Sequence, residues 1–258
     1  MPRTRSKLKQ AIESGHHLIM MLTHPRQPDT YAAKFLDSTE GSSVARAFDR
    51  FAALDSSAQL LRTMPDPVVL LTEQASPTEG PADTLGQAHQ DFMAANGLTV
   101  DYLVGLNGDV SEQRQEDAQM TWFRRRLVTS HDLRHVLTGY NTSHAGEYCN
   151  VCFRFAQTRH WGVAALAVLA ALVLLGRGEF RGVWAGVEGF RRGRRAMSLD
   201  LFPWELYLDV RLAECRAILG LTPPRHFARQ VEPDAYLDDA SADRGGPIPA
   251  AATVPAAA

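Results

Sequence analysis

A chain of 258 residues with 45% hydrophobic residues is long enough for one domain with a substantial core. Its formal net charge is −2, from 27 Lys and Arg against 29 Asp and Glu, which argues against the basic surface of a nucleic-acid binder. The three cysteines, Cys149, Cys152 and Cys215, are too few for a disulfide framework and point to a reducing compartment.

The basic start MPRTRSKLKQ is not followed by a clean apolar run, so no secretory signal is expected, and residues 1–30 read as a loosely ordered arm. Apolar residues recur at helical spacing from Tyr31 to Leu36 and from Ser43 to Met64. PDPVVLL reads as a turn entering a short apolar segment. The stretch from Asp83 to Gly97 reads as an amphipathic helix, capped by Asp83 or Thr84 and stopped near Gly97. A long helix is expected from about Glu112 to a stop at Gly139, and a second from about Gly146. WGVAALAVLAALVLLG, Trp161 to Gly176, would be about 24 Å long as a helix. That falls short of a bilayer core of about 30 Å, so it reads as a buried helix, with a membrane-inserted one as the alternative. A third helix covers Glu179 to Ala196, broken or ended by Gly193, and a last one ends at Gly220. Residues 231–258, rich in Pro, Ala and Asp, are expected to be disordered. Strand signals are few. The expected fold is all-α, a single-domain bundle over residues 31–230 with an apolar cavity.

Chemistry concentrates in HDLRHVLTGYNTSHAGE. His131 and His135 stand four residues apart, so on a helix they share one face and can bind one metal ion. Asp132 points about 100° away, close enough to bind the ion or to brace a ligand. Glu147 lies just past the Gly139 turn and faces the histidines if the two helices pack antiparallel. Two imidazole nitrogens with one or two carboxylate oxygens suit zinc best, with iron or manganese as alternatives. The same face carries Leu127 and Val128, and buried histidines beside carboxylates need a reason to be there.

The motif resembles HDxxH-x11-E, the signature of the Coq-four family of ubiquinone biosynthesis, with His131, Asp132, His135 and Glu147 in its four positions. Upstream, LGQAHQDFMAANGL resembles a second family segment. Downstream, the stretch from Gly189 to Leu221 resembles its closing segment, with Trp204, Glu205, Arg211 and Gly220 in register. The resemblance covers roughly residues 40 to 222. Asp209 stands where a proline is common, and the loop from Tyr140 to Ala145 is polar, which marks a divergent bacterial-type member.

The resemblance implies an all-helical protein associated peripherally with a membrane. That membrane is the inner membrane, reached from the cytoplasm in a bacterium and from the matrix in a mitochondrion. It implies a polyprenylated quinone precursor held in an apolar tunnel, its head group beside a divalent metal, usually zinc. It implies oxidative decarboxylation at ring carbon one, with dioxygen as co-substrate. The alternative is a non-catalytic lipid-binding scaffold that organises other quinone-biosynthesis enzymes. A homo-oligomer and no nucleic-acid partner are expected.

Several features stay open between two readings. The run from Trp161 to Gly176 is either a tunnel wall for an isoprenoid tail or a plain core helix. Arg191, Arg192, Arg194 and Arg195 meet an anionic surface or substrate, or form a solvated helix end. Of Arg124, Arg125 and Arg126, one can pair with Asp132 or Glu147, and at least two read as solvent-facing. Cys149 and Cys152 are either a redox or metal pair or small apolar core residues, and the second reading is preferred. Tyr140 either orients a head group or packs under its loop.

Overall fold

Local signals place most helix ends. The protein was studied as a computed structural model, which describes residues 14–17, 20, 28–39, 42–73, 83–99 and 117–231. The tail expected after residue 231 and most of the expected arm lie outside the described residues, as does the start of the long helix near Glu112. The helices are α1 (Pro28–Thr39), α2 (Ser43–Ala52), α3 (Ser57–Thr63), α4 (Pro67–Glu73), α5 (Leu85–Asn96) and α6 (Ala118–Thr129). They continue with α7 (His131–Thr138), α8 (His144–Thr158), α9 (Trp161–Gly176), α10 (Phe180–Arg195), α11 (Leu212–Leu219) and α12 (Arg225–Val231). Two 3₁₀ turns, Leu199–Leu201 and Trp204–Leu206, join α10 to α11. No strand occurs among the described residues, only an isolated bridge between Thr84 and Arg211, so the chain is all-α as expected.

Thr84 caps α5 by accepting from the Gln87 amide, and Gly97 ends it with a left-handed φ of 62°. The turn in PDPVVLL leads into the short apolar helix α4. Pro67 occupies the first helical position, where its missing N–H costs nothing, and Asp66 accepts from the Val68 amide. The long helix expected up to Gly139 is two helices. Thr129 hydroxyl bonds back to the Arg125 carbonyl and Ser130 hydroxyl to the Leu127 carbonyl at 3.2 Å, and the backbone leaves the helix at Ser130. Gly193 neither breaks nor ends α10, which runs on to Arg195.

The pairing of α8 with α10 is the most extensive helix contact among the described residues. It is close because Gly186, Gly189 and Gly193 share one face of α10. A Cβ there would stand 2.1 Å from the Tyr148 ring, 2.6 Å from the Cys149 carbonyl oxygen and 2.4 Å from the Phe153 carbonyl oxygen. The main core collects Leu85, Leu133, Leu137, Phe153, Phe202 and Trp204 between α5, α7, α8 and the 3₁₀ turns. A second cluster, Phe51, Leu60, Trp122 and Phe123, ties α2 and α3 to α6.

Charge is buried inside this core. Arg126 is fully buried, ion-paired to Glu205, and donates to the carbonyl oxygens of Asp200 (2.9 Å) and Phe202. Its guanidinium lies 4.6 Å from the Phe51 ring centre and 5.7 Å from that of Trp204. Arg134, also buried, pairs with Asp200 at 2.9 Å. The partner of Arg126 is therefore Glu205, and neither Asp132 nor Glu147. Arg125 instead pairs with Asp66 near the surface at 2.9 Å. Arg192 is buried too and donates to the Thr138 carbonyl oxygen at 2.8 Å, which closes the C-terminal end of α7.

The apolar run forms α9, but it is not a fully buried helix. Val163, Leu166 and Leu174 face α8, α10 and α1, while Trp161, Val168, Leu172 and Leu175 are exposed. Phe180 and Trp184 of α10 add to that open face, at 64% and 66% exposure. Among the described residues, no helix is long and apolar enough to cross a membrane.

Candidate metal centre

The turn between α7 and α8 builds the site. Gly139 takes a left-handed φ of 75°, which lets the chain reverse directly after α7. Ser143 then caps α8 by accepting from the Gly146 amide, so Glu147 sits in the first turn of α8 opposite the histidines. His131, His135 and Glu147 each offer a ligand atom, and these atoms lie within 4.8 Å of one another. His135 Nε2 stands 3.3 Å from Glu147 Oε1, and His131 Nε2 stands 4.0 Å from Oε2.

The partners of the other ring nitrogens fix which atoms are free. His135 Nδ1 faces the Tyr140 carbonyl oxygen at 3.0 Å, and a nitrogen facing a carbonyl carries the proton. In the neutral ring Nε2 then carries the lone pair, in a side chain with no solvent exposure and 3.3 Å from the Glu147 carboxylate. His131 Nδ1 lies 3.2 Å from Asp132 Oδ1, which likewise turns its Nε2 toward Glu147. Asp132, itself buried, is therefore placed behind His131 and apart from the three converging ligand atoms. Of the four residues singled out in the sequence, three converge and the fourth braces one of them. A carboxylate behind a ligating imidazole fixes its tautomer and raises its basicity.

Burial opposes a charge on His135, but the Glu147 carboxylate and the Tyr140 carbonyl outweigh it and hold its pKa above the usual imidazole value. Burial likewise opposes the Glu147 charge, and the two histidines outweigh it and hold its pKa below the usual carboxylate value. Both directions are those of a lone-pair cluster that welcomes positive charge, a proton in one case and a cation in the other. Phe92 of α5 stacks on the His135 ring, 5.6 Å between centres and 18° from parallel, and shields it from water.

Tyr140 contributes its backbone carbonyl rather than its hydroxyl, which is buried beside Phe227 and Arg192. Cys149 and Cys152 are buried free thiols; burial pushes the first well up and the second to about 11, and neither is among the three converging ligand groups. Beside α7, a cavity lined by Ser130, Leu133, Arg134, Leu199, Phe202 and Trp204 holds about 10 Å³, room for one water. The sequence reading missed Phe92, which stacks on His135 from α5 and has no local spacing that ties it to the triad.

Comparison with known proteins places this geometry in a family. The family described as coenzyme Q (ubiquinone) biosynthesis protein Coq4 matches residues 4–225. The chain belongs to the Coq4 family. A crystal structure of a Nostoc punctiforme protein named for ubiquinone biosynthesis has the same fold. It aligns with a TM-score of 0.58 and 19% identity over 81% of this chain and 97% of its own. No curated protein matches the chain significantly. For this Coq4-family chain, ubiquinone biosynthesis is the shared role.

Proposed function

We propose that this Coq4-family protein is a zinc-dependent enzyme that removes the ring carboxylate of a prenylated hydroxybenzoate oxidatively. The observation that carries the reading is the bare, buried Nε2 of His135, aimed with His131 Nε2 at the Glu147 carboxylate. A buried acceptor without a donor costs about 1–3 kcal/mol, and a cation removes that cost. His131, His135 and Glu147 would hold the metal, and Asp132 would hold His131 in its ligating tautomer. Three protein ligands leave a position for substrate, as catalytic rather than structural zinc sites do.

When bound, such a metal supplies Lewis acidity that favours the ionised phenol of the substrate. The chain's own groups do the rest. Phe92 packs over the His135 ring and holds its plane. The Tyr140 carbonyl holds the His135 proton on Nδ1, so that nitrogen does not compete for substrate protons. In the net reaction the ring exchanges its carboxylate for a hydroxyl and releases carbon dioxide. Dioxygen accepts the two electrons and, with water supplying the remaining oxygen and protons, leaves as hydrogen peroxide. The prenyl tail and the membrane surface are met by the open face of Trp161, Val168, Leu172, Phe180 and Trp184, flanked by the exposed cations Arg177 and Arg181.

The test is turnover of a short-chain prenyl hydroxybenzoate by metal-loaded protein in air, followed by release of carbon dioxide and formation of the ring hydroxyl. Wild type is expected to turn over and His135→Ala to fall to the background rate. Equal rates would overturn the reading. A metal-loaded wild type with no turnover would leave the scaffold role.

A further inference from the structure

The face of α8 that carries Glu147 continues past the triad. Residues 147, 150 and 154 lie within about 60° of one another around a helix, so Asn150 and Arg154 share the side of Glu147. Arg154 sits two turns on, about 10.5 Å along the axis, and helical side chains lean toward the N-terminus, back toward Asn150 and Glu147.

Arg154 differs from the buried arginines Arg126 and Arg134 of the core in lacking an acidic partner among the described residues. Asn150 is 4% exposed, its Oδ1 is buried without a partner, and no hydrogen bond reaches either end of its amide among the described residues. Arg154 Nε is buried without a partner, and no carboxylate of the described residues pairs with its guanidinium. Its charge adds to that of its neighbours. Arg154 lies close enough to Arg134 and to His160 to disfavour protonation of both, and Arg46 acts on His160 in the same sense. The nearby Asp200 is already paired with Arg134. Arg126 and Arg134 each have an acidic partner; Arg154, on the rim of the same core, has a cationic surrounding and none.

A half-buried guanidinium without a counter-ion is costly, and what would offset the cost is an oxyanion from outside. We infer that Arg154, with the amide N–H2 of Asn150 one helical turn away as a second donor, is a carboxylate subsite that holds the acid group of an aromatic substrate whose phenol end reaches the triad. The inference rests on the decarboxylation reading for its choice of carboxylate. It goes beyond that reading by assigning the residue that distinguishes the acid from its decarboxylated product. A guanidinium suits this because its planar fork matches a carboxylate with two parallel N–H donors.

Isothermal titration calorimetry tests it with two soluble probes, 3-prenyl-4-hydroxybenzoate and 2-prenylphenol, on zinc-loaded and on metal-free protein. Wild type is expected to bind the acid at least about tenfold tighter than the phenol. Arg154→Ala is expected to bind both equally, with the phenol affinity, zinc content and helical circular dichroism of wild type. Arg154→Lys, which keeps the charge and loses the fork, is expected to recover part of the preference and guards against a folding defect in the alanine variant. An acid preference that survives in Arg154→Ala overturns the inference. Inorganic phosphate displacing the acid at lower concentration than benzoate does, through Arg154, also overturns it and makes the subsite one for phosphate. An Arg154-dependent preference in protein without turnover sinks the decarboxylation reading alone. Turnover with a preference indifferent to Arg154 sinks the subsite alone.

Discussion

Two charged regions share α7 in this fold and are built on opposite rules. Around Arg126 and Arg134 the guanidinium forks are matched, by Glu205, by Asp200 and by the carbonyl oxygens of the 3₁₀ turns. Along α7 and α8, His135 Nε2, Asn150 Oδ1 and Arg154 Nε have no hydrogen-bond partner, and in the first region Trp204 Nε1 alone is left so among the groups around Arg126. Buried polar atoms in native proteins are normally satisfied, so the first region reads as architecture and the second as a place for something else. Family membership and fold do not by themselves distinguish the two; the state of the hydrogen bonds does.

The comparison breaks most visibly if the matched region is unmatched. Glu205→Ala leaves a fully buried guanidinium without its ion-pair partner. The expected cost is about 3–5 kcal/mol, a fall in Tm of about 10 °C for a chain of this size, measured by thermal circular dichroism. A Tm within a degree or two of wild type would show that the pair is not the structural centre described here.

A smaller effect sharpens the other side. Asp132 touches the triad only through His131, so Asp132→Asn keeps all three ligands and loses the charge behind one of them. Zinc affinity is expected to fall by about 10–100-fold, read by competition with a chromophoric chelator, while the chelated protein melts as wild type does. No change in affinity would remove Asp132 from the site.

The sequence exposes the site better than the architecture that holds it. His131 and His135 are visible because helical periodicity puts residues four apart on one face, and Glu147 because a glycine stop and a serine cap fix a short turn. Thr84 and Gly97 bound α5 for the same local reasons. The break at Ser130 is not visible, since neither Gly nor Pro marks it and it arises from Thr and Ser hydroxyls bonding back onto the helix. Burial of Arg126 is invisible for a different reason. Three consecutive arginines read as a solvated face, and the residue that changes this, Glu205, is 79 positions away. The open side of α9 was also hidden, because an all-apolar helix carries no period to say which face is covered.

The proposed sharing of one cation by His131, His135 and Glu147 is tested most directly by metal analysis of purified protein. Inductively coupled plasma mass spectrometry is expected to find about one zinc per chain in wild type and almost none in His135→Ala, with the same helical circular dichroism in both. A variant that retains the wild-type metal content, or a wild type that binds no divalent metal when supplied with it, would contradict the account.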